Sequence, residues 1–236
     1  MTFISRLIGV ALTFGVAGHV QAVESLPVRD SADFNYQLNG DVAPPAISGS
    51  VVWSADGDIL TFNRNLGAGT FGWNNVLNHG LGYTFEMRFR ITEPESSGLG
   101  VFGIILADQG GPGSYHAHRF SATNMFTEGG AAGQPMLDGV DFTDGYHVMR
   151  FVEKPGVNGL SIWLDGELIY EDRLSFNNAF NRVYIGSISG TITEGIVEFD
   201  YIRLDTTGAY RPVPEPASIA LLSIGALMLR RRYSRD

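Results

Sequence analysis

The chain has 236 residues, with 25 acidic against 16 basic ones, 30 glycines and no cysteine. Five of the bases (Arg6, Arg230, Arg231, Arg232, Arg235) but only two of the acids (Glu215, Asp236) lie near the ends, so the part between carries 11 bases against 23 acids, a net charge near −12. That balance argues against nucleic-acid binding, which rests on neutralising phosphates, and the missing cysteines rule out disulfide stapling.

In chain order, residues 1–22 read as a secretory signal, which predicts an N-terminal signal helix. Arg6 is its charged region, residues 7–17 are apolar, and Val20-Gln21-Ala22 offers small residues for cleavage. Residues 23–46 read as an extended lead-in. From there period-two alternation recurs and helical periodicity is hard to find. Strands are predicted at 50–53, 59–63, 83–91, 101–106, 118–122, 146–153, 160–164, 168–172, 182–187 and 196–204. In 83–91, Tyr83, Phe85, Met87, Phe89 and Ile91 should face a core while Thr84, Glu86, Arg88 and Arg90 face water. Asp165-Gly166 between two apolar strands is a hairpin signal. Residues 110–113 and 128–134 read as loops, and 206–212 as a linker. Many short strands with glycine-rich breaks predict a two-sheet antiparallel sandwich over residues 47–205.

The end of the chain has its own pattern. Val213-Pro214-Glu215-Pro216 precedes an apolar stretch, 217–229, and then Arg230, Arg231 and Arg232. The stretch is shorter than the roughly 20 residues a helix needs to cross a bilayer. The arginines hold the cytoplasmic side and extend the span by snorkelling, and the two prolines keep the preceding strip extended. Residues 213–236 resemble the PEP-CTERM sorting signal of exported bacterial proteins. The resemblance implies a short C-terminal membrane helix, an exosortase-type sorting enzyme and the inner membrane as partners, and delivery to the cell surface or extracellular matrix after transient anchoring. An ordinary uncleaved anchor is the alternative.

A second resemblance lies in the middle. Tyr146-His147-Val148, the hairpin 160–168 with Trp163 and Asp165-Gly166, Tyr184-Ile185-Gly186 and Phe199-Asp200-Tyr201-Ile202-Arg203 are similar to pieces of concanavalin A-like and laminin G-like domains. This implies an all-β jelly-roll with one flat and one concave sheet, whose concave face or rim loops bind sugars, sometimes with calcium.

Each candidate chemistry has a plainer reading. Glu198 and Asp200 alternate on one strand, as in retaining glucanases of the same fold, where paired carboxylates stand across a sugar. The second glutamate of that pattern is missing, since Ile202 and Arg203 occupy its positions, and Glu194 is separated by a turn at Gly195. His116 and His118 could offer two metal ligands with Asp108, but a His-x-His pair without a placed third ligand reads better as structural. Asp56-Gly57-Asp58 and the stretch Asp138, Asp141, Asp144 are calcium-compatible turns and ordinary solvated loops alike. Trp163 shares a strand face with Ser161 and Asp165, so an exposed ring there would suit stacking on a sugar, with packing under a loop the equal alternative. Trp73, in a Gly/Asn-rich segment, is the other candidate sugar contact; Trp53 reads as core.

Together these features predict an exported surface or matrix protein, a non-catalytic carbohydrate-binding or structural module with extracellular polysaccharide as partner. They place no catalytic and no metal residue. The alternative is a divergent glycoside hydrolase or polysaccharide lyase that uses acids on different strands.

Overall fold

The computed structural model of the chain describes residues 26–38, 48–49, 53–78, 80–96, 100–108, 114–127, 135–157, 159–174, 182–190, 192 and 194–213. Its strands are β1 (Tyr36–Leu38), β2 (Ser48–Gly49), β3 (Trp53–Asp56), β4 (Ile59–Asn63), β5 (Gly69–Asn74), β6 (Tyr83–Glu93), β7 (Phe102–Asp108) and β8 (Ser114–Phe120). They continue as β9 (Asn124–Thr127), β10 (Pro135–Asp138), β11 (His147–Glu153), β12 (Gly159–Leu164), β13 (Glu167–Leu174), β14 (Arg182–Gly186) and β15 (Ile196–Asp205). Among the described residues they form two antiparallel sheets. One runs β13-β12-β11-β6-β15-β4-β3 with β1 paired to β15, and the other β10-β9-β8-β7-β14-β5-β2.

Strand alternation builds the core. Phe85, Met87, Phe89 and Ile91 of β6 and Met149 and Phe151 of β11 point inward from the first sheet. Phe102, Ile104 and Leu106 of β7 and Phe120 of β8 meet them from the second. Phe89 is the hub: its ring lies 5.1 Å from Phe102, 5.3 Å from Phe120 and 5.4 Å from Phe142. At Asp165 (φ 49°) and Gly166 (φ 83°) two consecutive left-handed residues close the β12–β13 hairpin, the turn whose twist matches the flanking strands.

The water-facing side of β6 departs from expectation. Thr84 and Glu86 are buried, because residues 26–34 and 205–213 lie across the outer face there. Thr84 Oγ1 donates to the Gly208 carbonyl (3.0 Å) and accepts from the Tyr210 amide (2.8 Å). The two segments join through a parallel bridge, Val28 to Arg211, and through Arg29 to Asp205 at 2.6 Å.

The expected fold is corrected over the described residues. The described residues contain two 3-10 turns, Ser31–Asp33 and Arg64–Leu66, and no α-helix. Their apolar residues repeat every second position, which suits sheets. The signal segment 1–22 and residues 214–236, with Pro214, Glu215, Pro216, Arg230, Arg231 and Arg232, lie outside the described residues. Among those described, no helix is long and apolar enough to cross a membrane. Among the described residues an all-β fold of two antiparallel sheets therefore stands in place of a jelly-roll flanked by a signal helix and a membrane helix. The surface localisation by transient anchoring, and the exosortase-type enzyme and inner membrane as partners, are corrected with it, since no membrane helix stands among the described residues.

Candidate functional site

The outer face of the larger sheet gathers charge. On β6 the residues Glu86, Arg88 and Arg90 share this side. On β15 an irregularity between Phe199 and Tyr201 lets Asp200 pair with no single residue of β6. A bulge of this kind re-aims side chains. Val197 and Phe199 face the core before it and Ile202 and Leu204 after it, while Asp200 and Tyr201 both turn outward.

One pocket of about 180 Å3 is sunk in this face, lined by Asp30, Ser31, Glu86, Val148, Arg150, Gly166, Tyr201, Pro212 and Val213. Its floor is a bonded triad from three adjacent strands. Arg150 Nε donates to Glu86 Oε2 (2.5 Å), and the Tyr201 hydroxyl donates to Glu86 Oε1 (2.9 Å). The Arg150 and Glu86 side chains are 3% and 4% exposed, so each charge depends on the other. Arg150 Nη1 also donates to the carbonyls of Arg29 (3.1 Å) and Tyr210 (3.4 Å), tying the triad to both crossing segments. Burial, reinforced by the Glu86 carboxylate, pushes the Tyr201 phenol far above its ordinary pKa, so it stays protonated. Asp30 stands at the rim as the cap of the turn Ser31–Asp33, its Oδ1 accepting from the Ala32 amide at 2.9 Å.

Further along β6 and β15 the same face is open. Arg88 pairs with Asp200, and Arg90 Nε donates to Glu198 Oε2 at 2.8 Å. The Tyr146 hydroxyl donates to the same oxygen at 3.0 Å. The Arg88 and Arg90 guanidiniums lie 4.9 and 5.0 Å from the Tyr146 ring centre. Burial and the Glu198 carboxylate raise the Tyr146 pKa, favouring the neutral phenol.

The residues singled out from sequence are scattered. Trp163 is 5% exposed, packed with Val152 and Ala209 and against Leu26; the strand face is as expected, but the crossing segments cover the ring. Trp73 is half-buried, 5.9 Å from both Tyr36 and Phe71. His116 and His118 point into the core and are buried, with His116 Nε2 at 3.7 Å from Glu153 Oε2. Burial outweighs that carboxylate and lowers the His116 pKa. Glu194 turns away to accept from the Ser96 amide at 2.7 Å. Asp141 accepts from the Thr143 amide and Asp144 from His147. Among the described residues no group of three or more His, Asp or Glu is placed to hold a metal ion.

Sequence reasoning missed the pocket. Glu86 read as solvent-facing alternation, Arg150 only as part of the strand 146–153, and Asp30 as lead-in. One signal was present: the apolar phase of β15 slips between Phe199 and Ile202, which marks the bulge that turns Tyr201 to the outer face.

No family model and no curated protein matches the sequence. Among solved structures the chain is similar to a Trypanosoma rangeli sialidase in complex with 2,3-difluorosialic acid, a covalent intermediate. The two are 14% identical, with a TM-score of 0.51 over 74% of this chain and 30% of that one. A mutant of the same sialidase displaying trans-sialidase activity is 13% identical, with a TM-score of 0.52 over the same shares. A carbohydrate esterase from Shiga toxin-encoding bacteriophage phi24B is 12% identical, covering 72% of this chain and 88% of that one, with a TM-score of 0.45. The chain thus spans 30% of the length of the sialidases it matches.

At this identity the likeness is one of fold alone, an all-β fold of two antiparallel sheets, and it replaces the PEP-CTERM and concanavalin A-like or laminin G-like resemblance. The expectation of a sorted, non-catalytic binding or structural module is corrected with it, the solved structures similar in fold being sialidases.

Proposed function

We propose that this chain is a divergent carbohydrate-active enzyme, or the portion of one, that cleaves glycosidic bonds at the pocket of the larger sheet. One observation supports the reading. Two carboxylates, Asp30 and Glu86, reach one concave pocket from different parts of the chain, beside a buried arginine and a protonated phenol. The likeness to sialidases supports the substrate class.

Glycoside hydrolysis needs one carboxyl to protonate the departing oxygen and another to activate water or attack the anomeric carbon. Glu86 is oriented for the second task by Arg150 and Tyr201, which bond one to each of its oxygens. Asp30, at the rim, takes the first. In the hydrolytic sum the C–O bond breaks, the leaving oxygen gains a proton through Asp30, and water supplies the hydroxyl to the other sugar as its proton passes to Glu86.

The test incubates the purified chain with a panel of glycans and counts new reducing ends, with unsaturated ends scored separately as the mark of a lyase. Asp30→Asn is the informative variant, because asparagine caps a turn as well as aspartate and the fold is retained. Rates falling by about 10²–10⁴, the usual contribution of a general acid, are expected. No new ends from any glycan, or full activity in Asp30→Asn, would remove the proposal.

A further inference from the structure

We infer that the substrate is an extended, neutral glycan, held along β6 from the pocket to a second subsite on Tyr146. The inference rests on the reading of the pocket given above and names its substrate class.

Length comes from the strand. Residues two apart on one face stand about 7 Å from each other, so Glu86, Arg88 and Arg90 mark a row about 14 Å long, from the pocket floor to the Tyr146 cluster. No single sugar ring reaches both ends. The far end is built as a polar platform: the Tyr146 hydroxyl and Arg90 converge on one Glu198 oxygen, which fixes the ring and the guanidinium. The side chains remain accessible, Arg88 at 40%, Asp200 at 30% and Arg90 at 42%. Planar donors and acceptors around an aromatic ring match the alternating hydroxyls and C–H faces of a sugar.

Neutrality comes from charge pairing. Arg88 and Arg90 are each matched by a carboxylate, Asp200 and Glu198, and Arg150 by Glu86. Arg203, which stacks on Tyr201 and bonds Ser31, and Asp30 at the rim add one further charge of each sign, so the row as a whole is balanced. The row therefore offers no net positive charge to a sugar carboxylate or sulfate, and a chain of net charge −9 repels polyanions as a whole. An acidic sugar such as sialic acid is therefore disfavoured here.

The experiment uses the intact chain with cello-, manno- and malto-oligosaccharides from disaccharide to hexasaccharide, and oligogalacturonates of matching length as acidic counterparts. Both kcat/KM and equilibrium affinity are measured. Both should rise with chain length and be at least about tenfold poorer for the acidic series, a difference of one decade in binding constant. In Tyr146→Ala the ratio of hexasaccharide to disaccharide values should fall about tenfold, while Tyr146→Phe, which keeps the ring, should preserve most of it. Length-independent values, a preference for oligogalacturonates, or equal losses on short and long chains in Tyr146→Ala would overturn the inference. Length-dependent binding without cleavage would sink the catalytic proposal and leave the extended subsite standing. No binding of any oligosaccharide would overturn both.

Discussion

The two sheets turn very different outer faces to their surroundings. On the seven-stranded sheet, Ile105 and Ala117 are covered by Tyr184 and Ile188, an apolar patch closed by the chain that follows β14. On the eight-stranded sheet the outer face carries Glu86, Arg88, Arg90, Arg150, Glu198 and Asp200, and the segments 26–34 and 205–213 cross only part of it. Apolar burial needs no partner. A buried charge is tolerable only with its counter-charge in place, and such pairs keep polar chemistry within reach of solvent.

Four tests would break or sharpen this contrast. The largest effect is expected at Arg150→Met, which strands the Glu86 carboxylate in a buried site. It should cost about 3–5 kcal/mol in urea unfolding, and the double variant Glu86→Leu/Arg150→Met should regain much of that. A loss no larger than that of a surface pair would mean the floor of the pocket is wetter than its geometry indicates.

Next comes Gly103→Ala on the opposite sheet. A Cβ there would meet Ile188 side-chain atoms at 2.5 Å and the His118 carbonyl oxygen at 2.8 Å. Overpacking of this kind costs about 1–3 kcal/mol, read as a lowered unfolding midpoint. A neutral result would show that the Ile188 cover is loose.

Each sheet also carries a histidine with its own pH response. Burial lowers the pKa of His116 on β8, so the unfolded chain takes up a proton that the folded one resists. Its stability is fully present above the unfolded value of about 6.5 and is lost as pH falls toward the folded value. His147 on β11 behaves oppositely. Burial works against its charge, but Asp165 at 2.8 Å and Asp144 at 3.0 Å prevail and raise its pKa. Its contribution is complete below about 6.5 and is lost as pH rises through the folded value. Unfolding midpoints followed with pH should show His116→Asn flattening the acid limb and His147→Asn flattening the limb above it. If both variants altered the same limb, one assignment would be wrong.

The smallest effect is expected at Glu198→Gln. Arg90 is 42% exposed and Glu198 23%, and solvent-exposed pairs contribute about 0–1 kcal/mol. Its unfolding curve should nearly overlay the parent, whatever happens to glycan affinity.

Much of the framework was readable one residue at a time. The alternation in β6, the apolar run of β7 and the turn at Asp165-Gly166 appear where local pattern places them, since strand period and left-handed turns are properties of neighbours in sequence. The pocket was not readable. Its carboxylates sit on a turn near residue 30 and on β6, and Arg150 arrives from β11 through the register that sets it opposite Glu86. Trp163 shows the same limit from the other side. Its strand face was legible, but whether that face met water depended on Leu26 and Ala209, more than a hundred and more than forty residues away in the chain.

By itself the sequence determined an all-β chain with an acidic middle and no disulfides, because composition and period-two patterning are local and additive. Only the tertiary structure decided which charges are buried, which face is crossed by the terminal segments, and which carboxylates share a pocket. Those depend on strand order, on the bulge at Asp200 and on long-range pairing, where one residue of register shifts every side chain to the other face.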